Sequence, residues 1–246
     1  MNERDLASMI KERESSLNAQ ERERYQSQAF GVLMRKVYVW MTLALVITGF
    51  TAFYVAQSGF IFTLMSNQGL LWGMIIAELA LVIGLSAAIN KLSLTTVTLL
   101  FILYSVINGA TLSSIFIVYD ISTIGNVFFI TAGTFGAMAL YGYTTKKDLS
   151  GLGKLLFMGL IGIIIATLVN VFLVKSAGFD LLLSYAGVLI FVGLTAYDSQ
   201  KIKEMCSSIE YADASAQKLS LLGALTLYLD FINLFLYLLR IFGRRD

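Results

Sequence analysis

The sequence predicts an all-α integral membrane protein whose chain crosses the bilayer seven times. Hydrophobic residues make up 57% of its 246 residues and charged residues only 14%, and the mean hydropathy is +0.77. Soluble domains carry about 25% charged residues. Seven apolar segments are each long enough to cross about 30 Å of hydrocarbon, which takes about 20 helical residues. The chain has 20 glycines and no proline, so glycine must supply any helix kinks and close helix contacts.

The predicted spans follow one another through short connections, so neighbouring helices are expected to run antiparallel in one bundle. The only long connection is the last, from Ser199 to Lys218. The predicted spans cover residues 37–57, 70–90, 94–118, 121–144, 152–174, 180–200 and 219–240.

Residues 1–30 form a charged N-terminal segment that precedes the transmembrane domain of residues 31–246. Both signs of charge are dense in this segment, which is typical of a surface helix or of a disordered, solvated tail, and we favour the tail. It does not resemble a signal peptide, because it is acidic as well as basic and no small-residue cleavage site follows the first apolar run. The first apolar run is therefore expected to be a retained span.

Lysine and arginine side chains concentrate on one side of the predicted bundle, which predicts a cytoplasmic N-terminus. The loops of the opposite side contribute only Lys175. The C-terminal Arg240, Arg244 and Arg245 break the pattern, so the last helix either crosses against the rule or re-enters. Its continuous segment without proline favours crossing. The basic residues of the positive side are Arg22, Arg24, Arg35, Lys36, Lys91, Lys146, Lys147, Lys154, Lys201, Lys203 and Lys218.

The composition argues against several classes of function. The chain has no histidine, which excludes histidine pH switches and histidine-ligated metals and leaves a catalytic serine or cysteine without its usual base. Only one of the two short motifs of intramembrane aspartyl proteases is present, and no span holds a deep lysine for a retinal. Cys206 stands alone, and the net charge of +2 does not indicate nucleic-acid binding. We expect no enzyme and no cofactor.

Three carboxyl groups lie inside the predicted spans: Glu78, Asp198 and Asp230. Asp230 is near the middle of the apolar segment from Leu219 to Leu239. A charge at that depth costs at least about 2.5–3.5 kcal/mol on insertion scales, so a functional role is the default interpretation. No lysine or arginine lies at comparable depth, so these groups must share protons, accept hydrogen bonds from neutral groups or hold a cation.

A polar seam follows one face of the helix that carries Asp230, at helical spacing. Polar residues on helices 3 and 5 are possible partners of that seam. The alternative is that these neutral side chains only hold helices together, as they commonly do in membranes. The seam consists of Gly223, Thr226, Asp230, Asn233 and Tyr237, and the possible partners are Ser105, Asn108, Thr111, Thr167 and Asn170.

Asp198 and Asp230 are expected to meet between the last two spans. An amphipathic stripe extends helix 6 to about residue 207, which places Asp198 about two turns inside the end of the bundle. Asp230 lies 12 residues beyond Lys218, or about 18 Å along its helix. The alternative is an independent Asp198 at the water boundary. The stripe consists of Asp198, Ile202, Met205 and Ile209, with Lys201 and Lys203 snorkelling from the outer face.

Two carboxyl groups in contact do not both ionise at low cost, so such a pair titrates as a unit. One shared proton would hold the two helices together, and its loss would leave two like charges that push them apart. Glu78, among small residues in WGMIIAELALVIGLSAA, has two interpretations. It is a second proton or cation site on the same route, or a protonated side chain that is hydrogen-bonded to a neighbouring helix.

The segments TAYDSQKI and LYLDFINLFLYLLRIFG, together with the seven spans, closely resemble the Bax inhibitor-1 family, which includes bacterial YccA-like and YetJ-like members. The resemblance covers about residues 30–243 and implies six helices wrapped around a central C-terminal helix. It also implies a pH-sensitive calcium leak whose two sensor aspartates match Asp198 and Asp230, with Glu78 matching a membrane glutamate. Some members carry an arginine near the cytoplasmic end of helix 2, where this chain offers only Lys91.

Two hypotheses of function follow. The first is a pH-gated calcium leak channel, with Asp198 and Asp230 as gate and weak, transient Ca²⁺ ligands, because two or three carboxylates are too few for a tight site. The alternative is a non-enzymatic modulator of a membrane-bound protease or other membrane complex, in which the charged N-terminal segment makes the contact. A third and weaker hypothesis is a proton-coupled transporter.

Under either hypothesis we expect a multi-pass protein of the bacterial inner membrane. Its expected partners are the lipid bilayer, Ca²⁺ as the permeant ion, and protons. A membrane protease is a further expected partner under the second hypothesis. We expect no nucleic-acid partner under any of the hypotheses. Further candidates for the ion pathway are Glu78, Asn108 and Asn233.

Overall fold

The computed structural model describes the backbone of residues 3–243 and the side chains of residues 21–243, and this part of the chain is helical with no strands. Arg244 and Arg245, which entered the charge pattern above, lie outside the described residues. The helices are α1 (Glu3–Gln57), α2 (Phe60–Ser66), α3 (Gln68–Ala88), α4 (Leu94–Leu112), α5 (Ile115–Val118), α6 (Ile121–Thr144), α7 (Ser150–Val169), α8 (Ala177–Ser207) and α9 (Ala214–Phe242).

Seven helical segments of the described chain are long and apolar enough to cross a membrane, as the sequence predicts. The short α5 continues α4 across a break at Ser113 and Ser114, so these two helices form one span. The π-helical turn Asn170–Val174 completes the span of α7 and ends at Lys175, whose φ of 51° closes the helix in the left-handed region. The spans are Glu21–Gln57, Gln68–Ala88, Leu94–Val118, Ile121–Thr144, Ser150–Val174, Ala177–Ser207 and Ala214–Phe242.

Side-chain caps fix where three of these helices begin. Ser93, Ser176 and Asp213 each accept a hydrogen bond from the backbone N–H three residues later, at 3.1, 3.3 and 2.7 Å. Each cap satisfies a donor that the first helical turn leaves without a partner. Asp213 thereby sets the start of α9 immediately after the connection from α8.

α9 is the central helix of the bundle. Its most apolar window is 67% buried, whereas the corresponding windows of the other spans are between 6% and 39% buried. It packs against α1, α4, α6 and α8, while α3 packs mainly on α4 and α7 mainly on α8. α9 is therefore the central helix that the resemblance implies, with α1, α4, α6 and α8 packed on it and α3 and α7 in an outer position. Because α7 leans on α8, a gap remains between α7 and α9.

α8 extends to Ser207, as the amphipathic stripe predicts. It lies close to α6, because a Cβ atom at Gly142 would overlap the carbonyl of Ala196. The expectation that Lys201 and Lys203 both snorkel from an outer face is not met, because Lys201, although exposed, lines a cavity together with Asp198. Lys203 packs on α6 instead and donates a 2.7 Å hydrogen bond to the Tyr143 carbonyl, one of the acceptors that the end of α6 leaves without an intrahelical partner.

α1 runs without a break through the boundary between residues 30 and 31, so the charged N-terminal segment is a helix rather than the disordered tail that we favoured from its composition. The guanidinium of Arg22 donates to both carboxylate oxygens of Glu210 at 3.1 and 3.2 Å. Next to this pair, the rings of Tyr25 and Tyr211 lie 5.6 Å apart. We call these four residues the α1 clasp, because they tie α1 to the connection between α8 and α9. The hydrogen bond from Arg22 lowers the pKa of Glu210.

The last helix crosses rather than re-enters, because α9 continues without interruption for 29 residues. Arg240, which breaks the positive-inside pattern, has a partner at that end of the bundle. Its guanidinium lies 3.7 Å from the Asp180 carboxylate in the first turn of α8 and 5.5 Å from the ring centre of Tyr237. This local pairing offsets the charge that the topology places there.

Candidate functional site: a buried aspartate pair

A cavity of about 620 Å³ lies in the gap between α7, α8 and α9. We call it the vestibule. Its lining residues run from Gly153 to Ile164 on α7, from Phe191 to Lys201 on α8 and from Thr226 to Tyr237 on α9. At 1.5 Å per residue these stretches are each about 15 Å long, so the vestibule reaches about halfway through a 30 Å hydrocarbon core.

Asp198 and Asp230 both line the vestibule, and their carboxyl groups lie within hydrogen-bonding reach of each other. The helix spacing predicts this meeting, and the alternative of an isolated Asp198 does not hold. Asp230 is only 5% exposed, and its Oδ2 atom is buried with no N–H or O–H group of residues 21–243 donating to it. Since two carboxylates are both acceptors, a hydrogen bond between them needs a proton on one of them. The pair is therefore satisfied only when it holds a proton.

The polar neighbours of Asp230 on α9 form hydrogen bonds within their own helix. Thr226 and Asn233 line the vestibule, as the seam predicts, but both donate to their own helix. The Thr226 hydroxyl bonds the Leu222 carbonyl at 3.1 Å, and the Asn233 amide bonds the Leu229 carbonyl at 2.8 Å. The Thr226 hydroxyl thus gives its only proton to the backbone, whereas Asn233 keeps its second amide N–H and its oxygen for the vestibule.

Two lysines, which we did not single out from the sequence as site residues, also line the vestibule: Lys154 of α7 and Lys201 of α8. The Lys201 ammonium lies 5.7 Å from the ring centre of Tyr197 and acts electrostatically on Asp198. Its spacing from Asp198, i to i+3 on one helix, is a signal that could have identified it. Lys91, the only cation that the family comparison offered, is exposed at the turn between α3 and α4 and does not line the vestibule.

Glu78 lies outside the vestibule, in a cluster of neutral partners between α3 and α4. Its carboxylate accepts hydrogen bonds from the Thr111 hydroxyl at 2.6 Å and from the Asn108 amide at 3.3 Å. The Tyr228 hydroxyl donates to Asn108 Oδ1 at 2.9 Å and lies 2.7 Å from the Thr48 hydroxyl. We call these five residues the Glu78 cluster. The predicted pathway groups therefore divide, with Asn108 beside Glu78 and Asn233 beside the aspartates.

The other predicted partners of the seam do not reach Asp230. Ser105 donates to the Phe101 carbonyl on its own helix at 2.9 Å. Asn170 bonds the backbone of Ser176 through both its amide and its oxygen, which closes the end of α7. Thr167 has a buried hydroxyl with no hydrogen-bond partner in the described part of the chain. The hydrogen bonds of Ser105 and Asn170 are thus local, to the same helix or to the segment that follows it.

The vestibule ends at an aromatic layer that we call the outer seal. The Tyr237 ring packs directly on Gly187, where an added Cβ would lie 2.7 Å from the ring carbons. The Phe191 and Tyr237 ring centres are 5.8 Å apart, and the Arg240–Asp180 ion pair lies on the far side of Tyr237. α8 and α9 are therefore packed closely together at this end of the vestibule.

The donor set limits what the pair could hold. Within residues 21–243, no group of three or more aspartate, glutamate or cysteine side chains comes together. Asp198 and Asp230 supply at most four carboxylate oxygens, whereas Ca²⁺ takes six to eight oxygen ligands. A calcium ion at this place would keep much of its hydration.

These features define a class: a seven-span membrane protein whose buried central helix shares an acid pair with the helix before it. The family described as "inhibitor of apoptosis-promoting Bax1" matches residues 31–246, and the chain belongs to this Bax inhibitor-1 family. It is 58% identical over 214 residues to the inner membrane protein YbhL of Escherichia coli K12, covering 86% of this chain and 91% of that protein.

Two further relatives are known only as uncharacterised proteins. A protein of Borreliella burgdorferi is 46% identical over 213 residues, covering 86% of this chain and 91% of the relative. The protein RP147 of Rickettsia prowazekii is 43% identical over 212 residues, covering 86% and 89%. The similarity therefore extends over nearly the whole transmembrane domain.

Proposed function

We propose that this protein is a pH-sensitive cation leak channel without enzymatic activity, with Ca²⁺ as the permeant ion. The gate is the proton shared by Asp198 and Asp230. The observation that carries the proposal is the position of Asp230, which is buried on the central helix with Oδ2 lacking any neutral donor and with Asp198 as its neighbour. Such a pair needs a bound proton to form the hydrogen bond between its two carboxyl groups.

Loss of that proton supplies enough energy to move helices. Two unit charges at about 4 Å repel by about 4 kcal/mol at the effective dielectric constant typical of sites near a protein surface. This energy corresponds to about a thousandfold change in an equilibrium constant, at about 1.4 kcal/mol per tenfold. The repulsion acts between α8 and α9, which also form the outer seal through Tyr237 and Gly187. Deprotonation therefore favours separation of the seal and opening of the route.

The lining of the vestibule suits weak cation binding in the open state. The ionised Asp198 and Asp230, together with the oxygens of Thr226 and Asn233, present hard oxygen ligands. Incomplete coordination makes binding transient, which conduction requires. With the outer seal closed, this conformation corresponds to the proton-bound, non-conducting state.

The proposed setting is the inner membrane of a bacterium, with the N-terminus in the cytoplasm. The named Escherichia coli relative is an inner membrane protein. The excess of lysine and arginine on the N-terminal side favours the orientation. The vestibule, whose mouth carries Lys154 and Lys201, then opens toward the cytoplasm, so cytoplasmic pH sets the state of the gate.

Calcium efflux from liposomes tests the proposal. Purified full-length protein is reconstituted with an enclosed calcium dye, and efflux is measured from about pH 5 to about pH 8, with each pH unit changing the open population by at most about tenfold for one proton. We expect efflux to rise with pH, because the closed state holds the proton. In Asp230→Asn, whose amide donates to Asp198 at every pH, the rise should disappear.

A matched control separates the gate from general charge effects. Asp120→Asn makes the same chemical change at an exposed aspartate that begins α6, and it should leave the pH response intact. Absence of efflux at every pH, or an equal pH response in Asp230→Asn, would overturn the proposal.

A second candidate function, modulation of a membrane-bound protease, is favoured by the form of α1. The charged segment before Glu21 is a helix continuous with the first span, which makes it a rigid candidate contact. Deletion of residues 2–20 leaves the clasp residues Arg22 and Tyr25 in place. If the segment acts on a protease, the deletion should abolish the effect of the protein on cleavage by the co-reconstituted protease while calcium efflux stays unchanged.

A further inference from the structure

The mouth of the vestibule carries two lysines that form no ion pair within 4.0 Å in the described part of the chain. Lys154 lies in the second turn of α7, and Lys201 lies two turns before the end of α8. The Lys201 ammonium is stacked over Tyr197, and no carboxylate between residues 21 and 243 lies within 4.0 Å of either lysine. Elsewhere on this side, Lys203 and Lys218 each bond a backbone carbonyl. The two vestibule lysines are thus available to an external anion.

The α7 side of the vestibule beyond these lysines is apolar, whereas the acid pair, Thr226 and Asn233 lie on the α8 and α9 side. Phe157, Leu160 and Ile164 of α7 face a surface formed by α8 and α9. From Lys154 to Ile164 the helix rises about 15 Å. That length equals one leaflet of a hydrocarbon core about 30 Å thick, so the wall matches one acyl chain in depth.

The vestibule is open to the bilayer along α7. Phe157 is 58% exposed and Ile164 is 51% exposed, and both contribute to the lining. In a membrane these side chains contact lipid tails, so the groove is reached sideways from the leaflet at the N-terminal end of α7. A molecule that enters there meets the two lysines at headgroup level and the apolar wall below them.

We propose that the vestibule binds one anionic glycerophospholipid of that leaflet, with its phosphate between Lys154 and Lys201 and one acyl chain along α7. The charges that line this position are these two lysines and the acid pair deeper in the vestibule, and the exposed Asp148, outside the lining, acts electrostatically on Lys154. With one shared proton the pair carries a single negative charge, so the mouth has a positive balance that favours an anion over a zwitterionic headgroup. Lipid binding at this site does not depend on ion conduction.

A fluorescence reporter inside the groove tests the proposal. Phe157→Trp is introduced together with Trp40→Phe and Trp72→Phe, which leaves one indole at the groove because the chain has two tryptophans. The full chain is reconstituted in phosphatidylcholine vesicles that contain brominated phosphatidylglycerol or brominated phosphatidylcholine. We expect the anionic lipid to quench more strongly, with a preference of about fivefold for each lysine that it engages.

Paired variants identify the groups responsible. Lys154→Gln with Lys201→Gln should remove the preference, and Lys154→Arg with Lys201→Arg should retain it. Lys91→Gln with Lys146→Gln removes the same charge from exposed sites outside the vestibule and should also retain it. Equal quenching by both lipids in the parent, or a preference that survives the glutamine pair, would overturn the site. Relief of quenching by soluble inorganic phosphate would show a simple anion site and contradict the phospholipid assignment.

Discussion

The aspartate pair and the Glu78 cluster each place a carboxyl group inside a membrane span, but they surround it with different hydrogen-bond partners. Glu78 accepts hydrogen bonds from two neutral donors on the adjacent α4, Thr111 and Asn108. Asp230 has no neutral donor at Oδ2, and its neighbour Asp198 is another acid. The difference teaches that the partners of a buried acid, more than its depth, decide whether a proton is part of the structure.

The largest expected contrast is between Asp198→Asn and Glu78→Gln in calcium efflux. Asp198→Asn replaces the shared proton with a permanent amide donor, so the pH response, at most about tenfold per pH unit, should vanish. Glu78→Gln keeps a side chain that can bond Asn108 and Thr111, so the response should persist. A pH response that disappears in Glu78→Gln and persists in Asp198→Asn would reverse the roles of the two sites.

Removal of the outer seal should have the next largest effect. Tyr237→Ala removes the ring that packs on Gly187 and Phe191, and an aromatic pair contributes about 0.5–1.5 kcal/mol beyond its buried area, which corresponds to at most about tenfold in the closed-to-open ratio. Efflux at low pH should rise by up to that factor, while Tyr237→Phe should behave like the parent. Unchanged low-pH efflux in Tyr237→Ala would show that the ion route does not pass this layer.

In the Glu78 cluster the expected effect is on stability. Tyr228→Phe removes the hydroxyl that donates to Asn108 Oδ1 and leaves that fully enclosed site one donor short. An unsatisfied buried group costs about 1–3 kcal/mol, so thermal unfolding in detergent should begin at a lower temperature. The pH response of efflux should not change. A variant as stable as the parent would show that the cluster contributes little to holding α4 and α9 together.

The smallest expected effect concerns the α1 clasp. Arg22 lowers the pKa of Glu210, so the clasp contributes fully above the ordinary glutamate pKa of about 4.3 and is lost as the pH falls through the lowered value. Arg22→Gln should speed hydrogen exchange of residues 208–213 by a few-fold at most near neutral pH, because exposed ion pairs are weak. Near pH 3 the difference should disappear. A difference of equal size at both pH values would exclude an ionic clasp.

Residue spacing along single helices predicted much of the candidate site. The extension of α8 to Ser207 and the meeting of Asp198 with Asp230 follow from residue spacing, because both depend on positions along single helices. The same spacing placed Thr226, Asn233 and Tyr237 on one face. Family resemblance supplied the central position of the last helix, which the burial of α9 supports.

What the sequence could not supply depends on contacts between distant segments. Lys154 lines the vestibule only because α7 packs against α8, and no local sequence pattern predicts that packing. The assignment of Glu78 to α4 rather than to the aspartates required the relative rotation of α3. The charged segment at the N-terminus has a composition that fits a helix or a disordered chain, and the structure gives a helix.

Infrared spectroscopy of the proton on the aspartate pair is the most direct measurement. Full-length protein labelled with ¹³C at aspartate carboxyl groups separates the pair from Glu78, and spectra are compared between about pH 5 and about pH 8, the range in which efflux is measured. We expect a protonated aspartate band in the parent that fades as pH rises and is missing in Asp230→Asn. Absence of that band throughout the range in the parent, or an identical band in Asp230→Asn, would contradict a proton shared between Asp198 and Asp230.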